Sequence, residues 1–263
     1  MRPLSARNPR VQRLTQLVKR HEERAEQRAL VVEGPVLVAA ALDAGRSVLD
    51  VYIDEAALTR PAVAELLPRL LHGPEPWVLP AGTLDRIGDV VTSQGVVAVV
   101  EAQPSPWPES LRVPFVVVLA GLQIPGNVGT LLRAAAAAGA GAVVCAGGAD
   151  PTSPKVVRAS AGAVFGIDVV SSPEPGVAIA RLRSGGYRCV GAVVRGGSSY
   201  REMRVDAPLA LVLGSEGNGL DPAVLDALDE QVSIPMAGPT ESLNVAMAGT
   251  LLCFEVLRRG QSS

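Results

Sequence analysis

Short hydrophobic runs recur along the whole chain and alternate with longer segments of mixed polarity. A continuous run such as FVVVL at residues 115–119 is typical of a parallel strand that is covered on both faces. The longer segments repeat apolar residues at helical spacing and therefore predict helices. This alternation predicts an α/β fold with a parallel sheet in the C-terminal half of the chain.

The same pattern predicts individual elements. Strands are expected at residues 29–33, 48–53, 77–79, 95–101, 115–119, 142–145, 167–170, 188–193, 209–213 and 231–234. Helices are expected at residues 9–24, 35–44, 62–71, 83–88, 127–138, 155–163, 175–183, 222–227 and 242–257. Helices and strands therefore alternate on both sides of the middle of the chain.

Alternating prolines in the segment QPSPWPES, at residues 103–110, mark a boundary between two domains. Proline cannot continue a helix or lie within a central strand. We therefore predict a small α/β domain at residues 1–102, a linker at 103–110 and a larger α/β domain at 111–263. The length of 263 residues fits two domains.

Composition limits how the chain can bind other molecules. Aromatic residues make up only 3% of the sequence, so a broad aromatic platform for stacking bases is not expected. The formal net charge is −2, but the first 28 residues contain eight Arg or Lys residues and only three Glu residues. This local positive charge fits either contact with a nucleic-acid backbone or a solvated helix face.

The sequence gives little indication of a metal site, a redox site or a membrane segment. The cysteines lie far apart inside apolar runs and are expected to be buried: Cys145, Cys189 and Cys253. Neither histidine falls within a motif, so neither histidine nor metal catalysis is expected. Arginines interrupt the early apolar stretches, and the uncharged stretch at 134–149 is too short to span a bilayer. We expect a cytoplasmic protein without a membrane role.

Three polar or Gly-rich segments follow predicted strands of the larger domain, where open α/β sheets place their ligands. They are QIPGNVGTLLR at 123–133, LVLGSEGNGL at 211–220 and IPMAGPTESLNVA at 234–246. In the first, free backbone N–H groups at the start of a helix can meet an anion. Each segment alone also has a purely structural interpretation, with Asn127 or Ser242 as a helix cap and Arg133 as a surface residue.

Together and in this order, the three segments resemble the signature motifs of the SpoU family of SPOUT methyltransferases, also called the TrmH family. The resemblance covers residues 115–259. The preceding domain, with LVVEG at 30–34, looks like the ribosomal-protein-like substrate domain of family members that modify ribosomal RNA. The resemblance implies a trefoil knot at the C-terminal end of the sheet, an exception to the rule that chains avoid threading.

The resemblance also implies an activity and partners. The implied activity is transfer of a methyl group from S-adenosylmethionine to a ribose 2′-hydroxyl of RNA, with 23S ribosomal RNA as the expected substrate. The enzyme is expected to be a homodimer and to use no metal. The alternatives are a tRNA 2′-O-methyltransferase, a non-catalytic RNA- or ribosome-binding module of the same fold, and an ordinary doubly wound nucleotide-binding protein. The last would need a Gly-rich phosphate loop, whereas GAG at 139–141 precedes a strand rather than a helix.

Family positions are carried over residue by residue. The matching catalytic residues are Asn127, Arg133, Glu216, Ser242 and Asn244. The matching cofactor-binding residues, which the family uses mainly through their backbone, are Leu213, Gly214, Ile234, Met236 and Leu243. One position departs from the family, because many members have Asp where this chain has Ile124.

The resemblance suggests roles for these residues. A guanidinium gives up its proton reluctantly, so Arg133 is expected to bind the phosphate beside the target ribose and to stabilise the developing alkoxide rather than act as a base. Asn127, Ser242 and Asn244 are expected to orient nucleophile and donor, and Glu216 to brace the loops. The basic N-terminal segment is then interpreted as an RNA-contact segment, acting through three arginines: Arg10, Arg13 and Arg20.

Overall fold

The computed structural model describes residues 1–70, 73–88, 92–103, 105–205 and 208–261. Its strands are β1 (Arg2–Pro3), β2 (Ala29–Glu33), β3 (Val48–Asp54), β4 (Trp77–Leu79), β5 (Val96–Glu101), β6 (Phe115–Ala120), β7 (Ala142–Ala146), β8 (Asp168–Ser172), β9 (Arg188–Ala192), β10 (Ser198–Ser199), β11 (Leu209–Leu213) and β12 (Glu230–Ser233). Its α-helices are α1 (Pro9–Lys19), α2 (His21–Glu26), α3 (Pro35–Asp43), α4 (Pro61–Leu66), α5 (Thr83–Ile87), α6 (Pro108–Leu111), α7 (Pro125–Ala137), α8 (Pro154–Ala159), α9 (Pro175–Ser184), α10 (Pro222–Asp226) and α11 (Val245–Gly260).

The chain forms two units, and the first contains Met1–Gln103 together with Thr152–Phe165. Its sheet has the order β1-β4-β3-β5-β2, in which β5 runs antiparallel to both of its neighbours. The apolar face of α1 is buried in the core of this unit through Val11, Leu14 and Leu17. This helix is amphipathic because its apolar residues recur every three residues while arginines occupy the other face.

One segment of the chain packs in a different unit from the one that the sequence predicts. Residues 152–165, expected in the larger domain, pack in the first unit, where α8 lies against β2 and Arg158 forms an ion pair with Glu33 at 3.2 Å. The linker expected at 103–110 also contains the start of α6. Sequence order places α8 between two strands of the second unit, and only its tertiary contacts reveal where it packs.

A sheet of seven parallel strands forms the second unit, which contains the described residues of 104–151 and 166–263. The strand order is β10-β12-β9-β11-β6-β7-β8, so β11 lies in the interior of the sheet between β9 and β6. Every residue of β6, β7 and β11 is buried, as their unbroken apolar sequences predict. The predicted α/β class with a parallel sheet is therefore confirmed.

Helix α11 packs closely against α7 and β11 at Gly249. A Cβ atom at this position would clash with the side chains of Leu131 in α7 and Leu213 in β11. Glycine is therefore required by the close approach of the helix to its neighbours, not by its backbone angles. The close packing fixes the start of α11 above the end of β11.

Four helix predictions were wrong by more than two residues at a boundary, and one of them is the helix expected at 62–71, whose α-helical part ends at Leu66. The helix expected at 9–24 is two helices, because Arg20 is extended with φ −118° and ψ 125°. The helix expected at 155–163 ends at Ala159, shortly before Ala161 adopts a φ of +50°. The helix expected from residue 242 begins at Val245, so the third motif enters it as an irregular loop.

The cysteine prediction is confirmed, since all three thiols are free and buried. Burial raises the pKa of the Cys145 thiol to about 12, with a smaller contribution from the Asp150 carboxylate. Such a thiol stays protonated at neutral pH. Among the described residues, no helix combines the length and apolar composition that crossing a membrane requires.

Candidate active site

A cavity of about 400 Å³ opens at the carboxyl ends of three parallel strands of the second unit. Residues following β9, β11 and β12 form its walls, and the first two turns of α11 form another side. Open parallel sheets bind ligands at this edge. The volume lies within the range of small-molecule sites.

Most of the residues predicted for chemistry meet at this cavity. Its lining includes all five predicted cofactor-binding residues and three of the predicted catalytic ones: Leu213, Gly214, Glu216, Ile234, Met236, Ser242, Leu243 and Asn244. The second and third motifs, which are separated by 13 residues of sequence, therefore face one space. Their individual roles stay predictions.

A chain of side-chain hydrogen bonds connects all three motifs. The Asn244 amide nitrogen lies 3.3 Å from Asn127 Oδ1, to which it donates. The Asn127 amide in turn donates to Glu216 Oε1 at 2.8 Å. Asn127 does not itself line the cavity, but this chain ties it to two residues that do.

Glu216 also lies at the beginning of α7. Burial tends to raise the pKa of this carboxyl, but hydrogen bonds from the Asn127 amide and from the backbone N–H groups of Gln123 and Ile124 hold the pKa below its ordinary value. The anion that meets the start of this helix is therefore the protein's own carboxylate. A carboxylate held in this way is a poor proton acceptor and suits the expected bracing role.

The helix-cap interpretations of Asn127 and Ser242 are wrong. Helix α7 begins at Pro125 after Ile124, which leaves Asn127 inside the first turn with its side chain on Glu216. Helix α11 is capped by Asn244, whose Oδ1 accepts a hydrogen bond from the Ala246 backbone N–H at 2.8 Å. Asn244 therefore caps a helix and joins the polar chain at once.

Arg133 lies on the surface of α7 and outside the cavity lining. Its side chain is exposed, and it forms no hydrogen bond or ion pair with another residue in the described part of the chain. Six helical positions separate it from Asn127, a rise of about 9 Å. A guanidinium in this state is available to an external phosphate.

Gly214 lets the turn after β11 close on itself. Ser215 and Gly219 exchange backbone hydrogen bonds of 3.0 and 3.1 Å, and Gly219 has a φ of +66°. A Cβ atom on Gly214 would overlap the backbone of Gly219 and Leu220. The glycine therefore shapes the cavity wall by the absence of a side chain.

The three arginines predicted to contact RNA differ in their surroundings within the first unit. Arg10 and Arg13 form ion pairs with the nearly buried carboxylate of Asp50, at 3.2 and 2.7 Å. The Arg10 guanidinium also lies over the Trp77 ring, 4.8 Å from its centroid. Arg20 is exposed and has no such partner among the described residues. RNA contact stays a prediction for all three.

Several cavity residues were not anticipated. Val194 follows β9, Glu241 precedes Ser242, and Ala248 and Leu252 lie on α11. The segment after β9 contains Gly196 and Gly197 but was not singled out as a motif, and the position of β9 beside β11 brings Val194 to the site. For Glu241 the signal was its place inside the third motif.

Family comparisons agree with this geometry. Residues 114–254 match the SpoU rRNA Methylase family, and residues 8–98 match the MRM3-like substrate binding domain. The chain is 30% identical over 254 residues to the 23S rRNA (guanosine(2553)-2′-O)-methyltransferase RlmP of Bacillus subtilis, covering 96% of this chain and 97% of that protein. It is 37% identical over 145 residues to a Staphylococcus haemolyticus protein named for the TrmH family of tRNA/rRNA methyltransferases; this match covers 55% of the chain and 58% of that relative.

A solved structure resembles the chain over nearly its full length. The SpoU methyltransferase AviRb of Streptomyces viridochromogenes, in complex with the cofactor AdoMet, superimposes with a TM-score of 0.83 at 30% identity. The superposition covers 97% of this chain and 100% of that one. The family profile spans more than half of the chain and contains all three motifs. The chain therefore belongs to the SpoU rRNA Methylase family.

Proposed function

We propose that this protein transfers a methyl group from S-adenosylmethionine to a ribose 2′-hydroxyl of ribosomal RNA, within 23S RNA. The observation that carries the proposal is the cavity at the end of β11, lined by all five residues expected to bind the cofactor. The names of RlmP and AviRb support the reaction and the cofactor. A trefoil knot in the second unit and a cytoplasmic location complete the proposal.

The residues present fit the cofactor. The cavity has a suitable volume, and Gly214 leaves backbone exposed where a Cβ atom would fill the turn. Leu213, Ile234 and Leu243 supply apolar contacts, while backbone groups of the two loops supply the polar ones. When bound, S-adenosylmethionine supplies an electrophilic methyl group on a sulfonium.

The protein's own residues position the ribose hydroxyl and stabilise the charge that develops on it. Arg133 binds the phosphate next to the target ribose and stabilises the negative charge that develops on the 2′-oxygen. Ser242 and Asn244 orient the hydroxyl from the cavity wall. The Asn127–Glu216 hydrogen bond holds the loops of the first and second motifs in register.

Methylation of RNA fragments by the purified protein tests this function. We expect ribose methylation of a 23S RNA fragment that requires S-adenosylmethionine, mapped by resistance of the modified nucleotide to alkaline cleavage. Methylation of tRNA instead would make the chain a tRNA enzyme. Tight RNA binding without methylation under any condition would favour a non-catalytic module.

A charge reversal at Arg20 tests RNA contact by the basic N-terminal segment in an RNA-binding assay. The Arg20→Glu protein should bind RNA more weakly, with a shallower salt dependence, because an exposed guanidinium without a protein partner is free to pair with a phosphate. Reversal of Arg13 is a poor control, since it also breaks an ion pair with Asp50. The exposed Lys19→Glu protein is the matched comparison on the same helix end. Unchanged RNA affinity of both proteins would favour a solvated helix face.

We further propose a homodimer that forms through α11. Met247, Leu251 and Phe254 recur at helical spacing and are exposed by 65%, 38% and 44%. An exposed apolar stripe of this kind is typical of a protein interface. A second copy would cover it by the symmetric packing that most homodimers use.

Sedimentation should therefore show a particle of twice 27.1 kDa at micromolar concentration. Met247→Arg should shift it toward the monomer, because burial of an unpaired charge in the interface is unfavourable. Val177→Arg, at an exposed valine of α9, should leave the dimer intact. A wild-type monomer would contradict the dimer.

A further inference from the structure

Carboxylates are the only charged side chains that line the cavity. Among its nineteen lining residues, all within the described part of the chain, Glu216 and Glu241 are acidic and none is Lys, Arg or His. Backbone and apolar groups make up most of the remaining wall. The formal charge of the lining side chains is therefore negative.

The two carboxylates differ in how firmly they are held. Glu216 is tied to Asn127 and to the start of α7. The Glu241 side chain is 81% exposed, and its nearest cation is the Arg195 guanidinium at 3.6 Å, itself 77% exposed. Arg195 lines the neighbouring depression, which Glu241 lines as well, and it is not part of the cavity wall. Glu241 is therefore the less firmly held of the two cavity carboxylates.

The charge of the cofactor changes during the proposed reaction. Methyl transfer breaks a C–S bond, leaves the bonding electron pair on sulfur and forms a C–O bond to the ribose, whose hydroxyl proton is released. The sulfur thus changes from a positively charged sulfonium to a neutral thioether. A negative wall stabilises the first form more than the second.

We propose that Glu241 is a specificity-determining residue that makes this cavity prefer S-adenosylmethionine over its demethylated product, S-adenosylhomocysteine. The proposal rests on the proposed cofactor site. Glu241 would act through its charge from the cavity lining, and a charge interaction requires no direct contact with the sulfur. Arg195 opposes it, because the ion pair reduces the negative potential that Glu241 contributes.

Substitutions of Glu241 and of Arg195 are therefore expected to change the ratio of the two ligand affinities in opposite directions. Glu241→Gln should lower the ratio of S-adenosylmethionine affinity to S-adenosylhomocysteine affinity by about two- to tenfold, the range expected for one exposed charge that is screened by solvent. Arg195→Gln should raise the same ratio. Both effects should shrink at high salt, because exposed charges are screened.

Calorimetric titration of the full-length protein with each ligand tests this inference without relying on activity. Glu202→Gln, at an exposed carboxylate outside the cavity lining, is the matched control and should leave the ratio unchanged. If both ligands bind but neither Glu241→Gln nor Arg195→Gln changes the ratio, the assignment of Glu241 is wrong and the cofactor site stands. If neither ligand binds to the folded wild-type protein, the cofactor site and the inference both fail.

Discussion

Replacing Arg133 by Ala should slow methyl transfer by about 100- to 1000-fold, the loss typical of removing one group that stabilises developing charge. The affinity for S-adenosylmethionine should remain that of the wild type, because Arg133 lies outside the cavity lining. The side chain is exposed and has no partner among the described residues, so its loss should leave the fold intact. Single-turnover methylation and calorimetry measure the two quantities separately.

Lysine at the same position distinguishes charge from geometry. Arg133→Lys keeps the positive charge but loses the planar fork that binds two phosphate oxygens, so it should remain strongly impaired. Arg204→Ala removes another exposed arginine from the same unit and should retain the wild-type rate. A wild-type rate for Arg133→Ala would make Arg133 a surface residue, and loss of cofactor binding would indicate a structural role in α7.

Gly214→Val should distort the cofactor site and lower the affinity for S-adenosylmethionine by about 100-fold, equivalent to about 3 kcal/mol. A side chain here overlaps backbone atoms of Gly219 and Leu220, which cannot rotate away. The turn from 215 to 219 must therefore open, and with it the wall of the cavity. Calorimetric titration measures the loss.

A second valine controls for general damage to the fold. Gly176 is exposed at the start of α9, and a Cβ atom there meets nothing within 4 Å. Gly176→Val should therefore bind the cofactor as the wild type does. Thermal unfolding of both variants should show that Gly214→Val remains folded at the temperature of the titration. Wild-type affinity of a folded Gly214→Val protein would mean that the cofactor binds elsewhere.

Local sequence patterns predicted the strands well because each buried strand carries its own apolar signature. The run at 209–213 coincides with β11, and the strand predicted at 29–33 coincides with β2. Helix ends were harder to predict, because one extended residue, Arg20, breaks a pattern that remains periodic across it. Packing of α8 in the first unit depends on tertiary contacts that sequence order does not contain.

The candidate site was predicted as three separate motifs, and its assembly was not. Nothing in the sequence showed that Asn127 would donate to Glu216, since this bond depends on the start of α7 meeting the turn after β11. The contribution of Val194 depends on strand order, because β9 and β11 are neighbours only in the folded sheet. Arg133 was singled out by its place in a motif, while its free state required the structure.

The two roles of Asn244 restrict which residues can replace it. Its oxygen caps α11 and its nitrogen donates to Asn127, so one short side chain must offer both an acceptor and a donor. Asp would keep the acceptor and lose the donor, and Ser would be too short to replace both groups of the amide. Of these residues only Asn serves both the helix and the site, and Asp is the replacement that would separate the two properties, because it keeps the cap and loses the hydrogen bond to Asn127.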